Sequence, residues 1–346
     1  MATGFVQQER AHQSAFHRSD WFGSAAKAPG VVILDNGTSV GPLSFCLPRE
    51  EAGENLFRGI RARVLAYFAE REIAWHMETP QGPSNHMLDS QVCCLNFLAP
   101  FMNRPDTLQK ILQPVFGEVT EVKPVCSSEP YVAFEWIGLA DHLGEWFPGA
   151  DPIRGRGVTS ADAAVRFIDR DGRDHLVLVE WKYTESYPES EDPGAMDKLH
   201  EPRRGEVRRQ RYEDLLRTPG GPIHLFRVDY EDLFFEPLYQ LMRQQLLASA
   251  IEESAEDDVD VCSVLHVSPR ANEALKRVTP LPLRDRYDDP DLYELWPTLL
   301  HPSADGAPRF RSVAAPDLFG ARPWEQMSEM TDWWQYVSDR YAGLLT

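Results

Sequence analysis

The chain has 346 residues, 42% of them hydrophobic and 26% charged, which is enough apolar material for a sizeable core and excludes wholesale disorder. Its 35 basic and 54 acidic residues give a formal net charge of −19, so binding to nucleic acid would need locally concentrated positive charge or a metal ion. The longest apolar run is too short to cross a membrane, the five cysteines lack CxxC spacing, and the N-terminus has no apolar signal segment. We therefore expect a cytoplasmic protein that does not enter membranes.

Helix and strand patterns alternate along the first 146 residues. The predicted elements are a strand at 31–34 and helices at about 55–73, from 89 to about 102, at 106–115 and at 131–146. Asp89 is the expected N-cap of the second helix. The last helix is predicted from Val132, Trp136 and Leu139, which recur at intervals of four and three.

The sharpest pattern in the chain is a β-hairpin. Two strand-like runs, at 159–169 and 174–184, are joined by a turn that contains Asp171-Gly172. Both runs are apolar on both faces over much of their length, as in strands of a sheet that is covered on both sides. Charged residues within such strands need a physical reason.

The turn geometry decides which residues of the hairpin face each other. If Gly172 takes the left-handed conformation of a three-residue turn, Asp162 lies directly opposite Glu180. A two-residue turn would instead place Asp162 opposite Trp181 and send the two carboxylates to opposite faces. The functional hypothesis below requires the first register.

In that register the hairpin has the chemistry of a metal site. Glu180 and Lys182 are two apart on a strand, so they share a face, and the carboxylate of Asp162 repels that of Glu180 unless a cation lies between them. Mg²⁺ (or Mn²⁺) binds one or two carboxylates together with a substrate phosphate, and Lys182 could orient an attacking water. The alternative is a buried structural ion pair. His76 and His86 lack metal-ligand spacing and are expected to be structural.

Further elements follow the hairpin. They are an arginine-rich helix at about 205–217, a strand at 224–230, a helix at 237–253, a strand at 261–268 and short helices up to the C-terminus. The whole pattern predicts an α/β protein. Its expected parts are an N-terminal helical extension (1–120), a core (121–270) and a C-terminal elaboration (271–346).

Several polar residues outside the hairpin are candidates for contacts with nucleic acid. On the arginine-rich helix, Arg204, Arg208 and Arg211 share a face that could follow phosphates, although pairing with neighbouring acidic residues is an equal alternative. Flanking glycines would let the loop that carries Arg154 and Arg156 approach a scissile phosphate. Gln240 and Arg243, on the helix at 237–253, are candidates to support the site.

Asp162 followed by Glu180-Trp181-Lys182 on the next strand resembles the PD-(D/E)XK nuclease superfamily of restriction-endonuclease-like folds. The surrounding sequence is also similar to uncharacterised bacterial members of that group. The resemblance implies a mixed central β-sheet flanked by helices, with Asp162, Glu180 and the backbone carbonyl of Trp181 as Mg²⁺ ligands. It also implies an acidic residue on a preceding helix, for which Glu135 is the first candidate and Glu145 the second.

The resemblance implies a DNA endonuclease of restriction or defence type. Ala161 stands where the family motif has proline, and the QxxxY motif of exonuclease-type relatives is absent, because Gln210 is followed four residues later by Asp214. Two alternatives remain open. The chain could be a catalytically weak binding or assembly subunit, as a homodimer or in a larger complex, or it could hydrolyse a smaller phosphate ester.

Overall fold

A mixed six-stranded β-sheet lies at the centre of the computed structural model, which describes residues 4–34, 37–147, 149, 151–192, 198–202, 204–320 and 322–346. A two-stranded hairpin precedes the sheet in the chain. The hairpin strands are β1 (Gly30–Ile33) and β2 (Ser39–Leu43), and the sheet strands are β3 (Val119–Lys123), β4 (Val132–Trp136), β5 (Ala161–Asp169), β6 (Asp174–Trp181), β7 (Val261–Ser268) and β8 (Phe310–Ala314).

The sheet has the order β3-β5-β6-β7-β8, and β4 pairs with the first half of β5 while β3 pairs with the second half. The pairs from β3 to β6 are antiparallel, and β7 and β8 add to β6 in parallel. This mixed sheet, flanked by helices, confirms the predicted fold class.

Helices cover both faces of the sheet. They are α1 (Gly4–Phe16), α2 (Arg58–Glu70), α3 (Ser90–Leu98), α4 (Pro105–Phe116), α5 (Gly205–Arg217), α6 (Leu238–Glu253), α7 (Leu281–Arg286), α8 (Leu292–Leu295), α9 (Ala315–Leu318) and α10 (Thr331–Arg340). One apolar cluster packs α1 to α4 and α10 on the face that carries Val177 and Val179. A second cluster packs α5 and α6 on the face that carries Leu176 and Leu178. Among the described residues, no helix combines the length and the apolarity that a membrane span requires.

Two predicted elements are wrong. The segment predicted as a helix at 131–146 contains β4, whose five residues are all buried, so its apolar spacing reflects a strand covered on both faces and not the stripe of a helix. The strand predicted at 224–230 is a series of turns, with Phe226 pointing into solvent at 77% exposure. The other elements that were given bounds lie within a few residues of their predicted positions, but the C-terminal segment, predicted to form short helices, also contributes strand β8 to the sheet.

The N-terminal and C-terminal segments share a core with the sheet. The cluster on the α1 side contains residues from all three predicted parts of the chain, among them Phe5, Val179 and Leu344. The buried Arg340 guanidinium of α10 donates hydrogen bonds to the carbonyl oxygens of Asn55 and Met87. The shared apolar cluster packs both terminal segments against the sheet, and Arg340 joins α10 to the segments that contain Asn55 and Met87.

The hairpin of β5 and β6 has the predicted register. The pairs run from Ile168–Asp174 to Ala163–Val179, and Gly172 has a φ of 82° in the three-residue turn. The same register continued by one residue sets Asp162 opposite Glu180, on the face covered by α6.

Asp169 stabilises this turn. Its carboxylate accepts hydrogen bonds from the backbone N–H groups of Asp171 and Arg173, at 2.8 and 3.0 Å, and from the side chains of Arg173 and His175. Burial opposes the charge, but these hydrogen bonds outweigh it and lower the pKa of Asp169 to about 2.

We predict that Asp169→Ala lowers the free energy of unfolding at pH 7 by about 2 kcal/mol, because a carboxylate with several hydrogen bonds is lost. Because the folded-state pKa lies below the usual 3.8, this contribution is present above pH 3.8 and is lost as the pH falls through about 2. Urea unfolding of wild type and variant from pH 7 to pH 2.5 measures it. Asp171→Ala is the exposed control in the same turn, and an undiminished difference at pH 2.5 would contradict the prediction.

Candidate active site

Carboxylates and an ammonium group meet where β5 and β6 run side by side. The Oδ2 atom of Asp162 accepts a hydrogen bond of 2.6 Å from the backbone N–H of Trp181. On the same face, the Nζ atom of Lys182 lies 2.5 Å from Oε1 of Glu180. Glu180 is only 1% exposed, whereas Asp162 and Lys182 line a cleft of about 580 Å³. The predicted trio is therefore brought together, with Asp162 and Lys182 lining the cleft and Glu180 buried beside Lys182.

Burial and mutual repulsion work against the negative charges of this site. Burial, and next the charge of Glu180, raise the pKa of Asp162 well above its usual value. Burial raises the pKa of Glu135 to about 7, and repulsion from Glu180 contributes. Burial also opposes the charge of Lys182, but attraction to Glu180 and other neighbours outweighs it and raises the pKa of this ammonium group. The raised pKa values mean that protons relieve this repulsion when no other cation is present, and a bound metal cation would take the place of those protons.

The donor set suits a hard divalent cation. Oε1 of Glu180 is buried and, beside its ion pair with Lys182, accepts no hydrogen bond from the residues that the structure describes. Within those residues there is no group of three or more His, Cys, Asp or Glu side chains already placed to hold a metal. Two carboxylates that leave other positions to water and substrate are the arrangement Mg²⁺ prefers, whereas an all-protein cage is not.

Glu135 joins this group from a strand, which corrects the expectation that it lies on a preceding helix. It sits on β4 between Phe134, which pairs with Ala163, and Trp136, which pairs with Ala161. Its φ of 49° makes a local kink in the strand. Gln91, in the first turn of α3, donates a hydrogen bond of 2.6 Å to its Oε1. The kink and this hydrogen bond hold the carboxylate at the cleft.

Arg154 is a structural residue, which corrects the prediction that it contacts a scissile phosphate. Its buried guanidinium donates to the carbonyl oxygens of Phe134 and Glu135, to the Tyr67 hydroxyl and to the Glu129 carboxylate. These hydrogen bonds hold the kinked backbone of β4. Arg154 thus supports the position of Glu135, and it is not one of the residues that line the cleft.

Glu145 is also committed to the protein interior, so it is not available as the alternative metal ligand. Its carboxylate accepts hydrogen bonds from the backbone N–H and hydroxyl of Thr159 and from the Tyr212 hydroxyl, and it pairs with Arg243 at 3.3 Å. These contacts join α5 and α6 to the segment that enters β5.

The predicted nucleic-acid contacts separate into two groups. Arg156, Gln240 and Arg243 line the cleft, and the Arg156 side chain is 62% exposed, with its nearest carboxylate oxygen, on Glu78, 3.8 Å away. The arginines predicted to follow phosphates along the arginine-rich helix do not line the cleft. These arginines are Arg204, Arg208 and Arg211. Arg208 is paired with Glu201 at 2.5 Å, so one of these cations is already neutralised.

Sequence reasoning missed three polar residues that shape the site. Gln244 donates hydrogen bonds to Oε2 of Glu180 at 3.0 Å and to the carbonyl oxygen of Ser160 at 2.7 Å, and Gln91 holds Glu135 as described above. Gln244 lies one helical turn after Gln240 in a largely apolar helix, a signal that could have revealed it. His76, which was expected to be structural, lines the cleft. The sequence around it contains no spacing or motif that indicates a place in the site.

Comparison with known proteins identifies a family. A family model described as restriction endonuclease associating with ARP matches residues 10–342. No curated protein and no solved structure matches the chain significantly. Because the family match spans nearly the whole chain, including both terminal segments and the site-bearing hairpin, the protein belongs to this restriction-endonuclease family.

Proposed function

We propose that the protein is a Mg²⁺-dependent endonuclease of restriction type that hydrolyses phosphodiester bonds in DNA, with Mn²⁺ as a substitute metal. The observation that carries this proposal is the strand register that sets the carboxylate of Asp162, which lines the cleft, opposite the buried carboxylate of Glu180 beside Lys182. Membership in a restriction-endonuclease family supports the same reaction class. Defence of a genome is the corresponding biological role.

Each residue has a distinct task in this proposal. Asp162, Glu180 and the backbone carbonyl of Trp181 would hold the ion, which when bound lowers the pKa of a water and neutralises charge on the phosphate. Glu135 would complete the acidic set. Lys182, kept charged and held by Glu180, would orient the attacking water.

The shape of the cleft favours a polymeric substrate over a small phosphate ester. The side chains of His76 and Arg156 line the cleft and remain 64% and 62% exposed, so it is open to solvent and not a closed pocket. Arg156 is placed to contact a backbone phosphate on either side of the scissile bond. A nucleic acid could cross such an opening.

The net charge of −19 favours a second candidate function, in which the chain is a binding or assembly subunit of a larger complex. Arg154 is buried, Arg208 is paired with Glu201 and Arg217 is paired with Glu213, so these three arginines offer little free positive charge for DNA binding. The family description names association with ARP, and a partner could supply the missing positive surface. The chain would then be the nuclease-fold subunit of a complex, and DNA affinity of the isolated chain, measured across salt concentrations, separates the two candidates.

We predict that Asp162→Asn and Lys182→Ala each lower Mg²⁺-dependent cleavage of plasmid DNA by about 10³-fold or more, because one variant loses a metal ligand and the other the group that orients water. Gel assays with Mg²⁺, Mn²⁺ and EDTA measure this. Asp171→Asn removes a carboxylate from the exposed turn of the same hairpin and should cleave like wild type. Equal cleavage by all four proteins would point to a contaminating nuclease and contradict the proposal.

We predict that saturating Mg²⁺ or Mn²⁺ raises the Tm of wild type by roughly 5 °C at a 100-fold excess over Kd, because the ion binds only the folded site and relieves carboxylate repulsion. Asp162→Asn should lose most of this shift. Differential scanning calorimetry with and without metal measures it, with Asp171→Asn again as the control. An equal metal-induced shift in wild type and Asp162→Asn would show that the ion binds elsewhere.

A further inference from the structure

A histidine–aspartate pair lies on the wall of the proposed catalytic cleft. Nδ1 of His76 is 2.5 Å from Oδ2 of Asp89, and Oδ1 of Asp89 accepts the backbone N–H of Val92 as the N-cap of α3. The backbone N–H of His76 also donates to Gln91 at 2.9 Å. The Asp89 side chain is 1% exposed, whereas that of His76 is 64% exposed and lines the cleft with Asp162. The aspartate is thus a fixed support and the imidazole faces the cleft.

This arrangement leaves one imidazole nitrogen available for proton transfer. Because Nδ1 binds Asp89, Nε2 is the free nitrogen, and within the described ranges no residue forms a hydrogen bond with it. A carboxylate that holds Nδ1 in this way fixes the tautomer and stabilises the imidazolium form.

The charges around His76 favour its protonated form. The hydrogen bond to Asp89 raises the pKa of His76, and although burial opposes this, the charges of Asp89, Glu185 and Glu135 add to it. The groups that face the imidazole are Asp89 at the start of α3, Glu185 after β6, Glu135 on β4 and His86 in the loop before α3. Three of these four are acidic.

We propose that His76 is the general acid that protonates the leaving oxygen during phosphodiester hydrolysis, an inference that rests on the proposed nuclease function. The water oxygen forms a bond to phosphorus while the bond from phosphorus to the leaving oxygen breaks, and the electron pair stays on that oxygen. The Nε2 proton of His76 moves to the leaving oxygen. The attacking water releases a proton to solvent, from which His76 is protonated again.

The other cations of the cleft are poorer proton donors. Lys182 is buried against Glu180 and its pKa is raised, so it keeps its proton. Arg156 and Arg243 are guanidinium groups, which do not release a proton in proteins. Histidine is the side chain whose proton exchange lies near neutral pH, where a general acid is most effective.

The test compares two leaving groups in His76→Gln. On ordinary DNA the variant should be about 10²- to 10⁴-fold slower than wild type at pH 7. On DNA with sulfur in place of the leaving oxygen at the mapped scissile bond, where departure needs no proton, it should come within about threefold of wild type. His301→Gln, an exposed histidine outside the cleft, is the control and should match wild type on both substrates.

The pH dependence gives an independent readout. The wild-type rate on ordinary DNA should fall as the pH rises through the pKa of His76, because the acid form is lost, and His76→Gln should lack this decline. Asp89→Asn should move the decline to lower pH, since it removes the main cause of the raised pKa.

The outcomes separate this inference from the proposed function. A wild-type enzyme that cleaves DNA, together with a variant that is equally slow on both substrates or slow on neither, would overturn the role of His76 alone. If wild type cleaves neither substrate with Mg²⁺ or Mn²⁺, the nuclease proposal fails and this inference fails with it.

Discussion

The repulsion between Asp162 and Glu180 is the physical constraint on which the site depends. A three-residue turn with Gly172 in the left-handed conformation sets the register that brings the two strand residues opposite each other. Removal from bulk water, and next the charge of Glu180, raise the pKa of Asp162, because water screens the two charges only weakly there. Lys182 offsets part of the negative charge. The remaining imbalance is the energetic reason to expect a bound divalent cation.

Two helices and a loop hold the carboxylates in place against this repulsion. Gln244 of α6 donates to the oxygen of Glu180 that faces away from Lys182, and Gln91 of α3 donates to Glu135. Arg154, in the loop before β5, donates a hydrogen bond to the carbonyl oxygen of Glu135 and so holds the backbone of β4. Such outer contacts orient ligands and are a large part of metal-site function. A bound metal would also supply, within the cleft, positive charge that an acidic chain lacks on its surface.

The sequence predicted the site-bearing hairpin because strand alternation, a glycine turn and the charge positions are all local features. It predicted the register of the hairpin correctly, but it placed Glu135 on a helix, because a fully buried strand has no alternation that distinguishes it from a helix. Arg154 was misassigned because glycines in a loop indicate only that the backbone can approach another group closely. They do not show whether that group is a bound phosphate or, as here, the protein's own strand β4. The spacing of Gln244 from Gln240 could have marked it as a candidate, but its partner Glu180 could not be predicted, because the two are 64 residues apart and the pairing depends on how α6 packs on the sheet.

Diffraction from crystals soaked in Mn²⁺, recorded at a wavelength where manganese scatters anomalously, would test the central claim most directly. The account predicts one strong anomalous peak in the cleft, within bonding distance of a carboxylate oxygen of Asp162 and of one of Glu180. A peak elsewhere, or no peak in the cleft at saturating Mn²⁺, would contradict it.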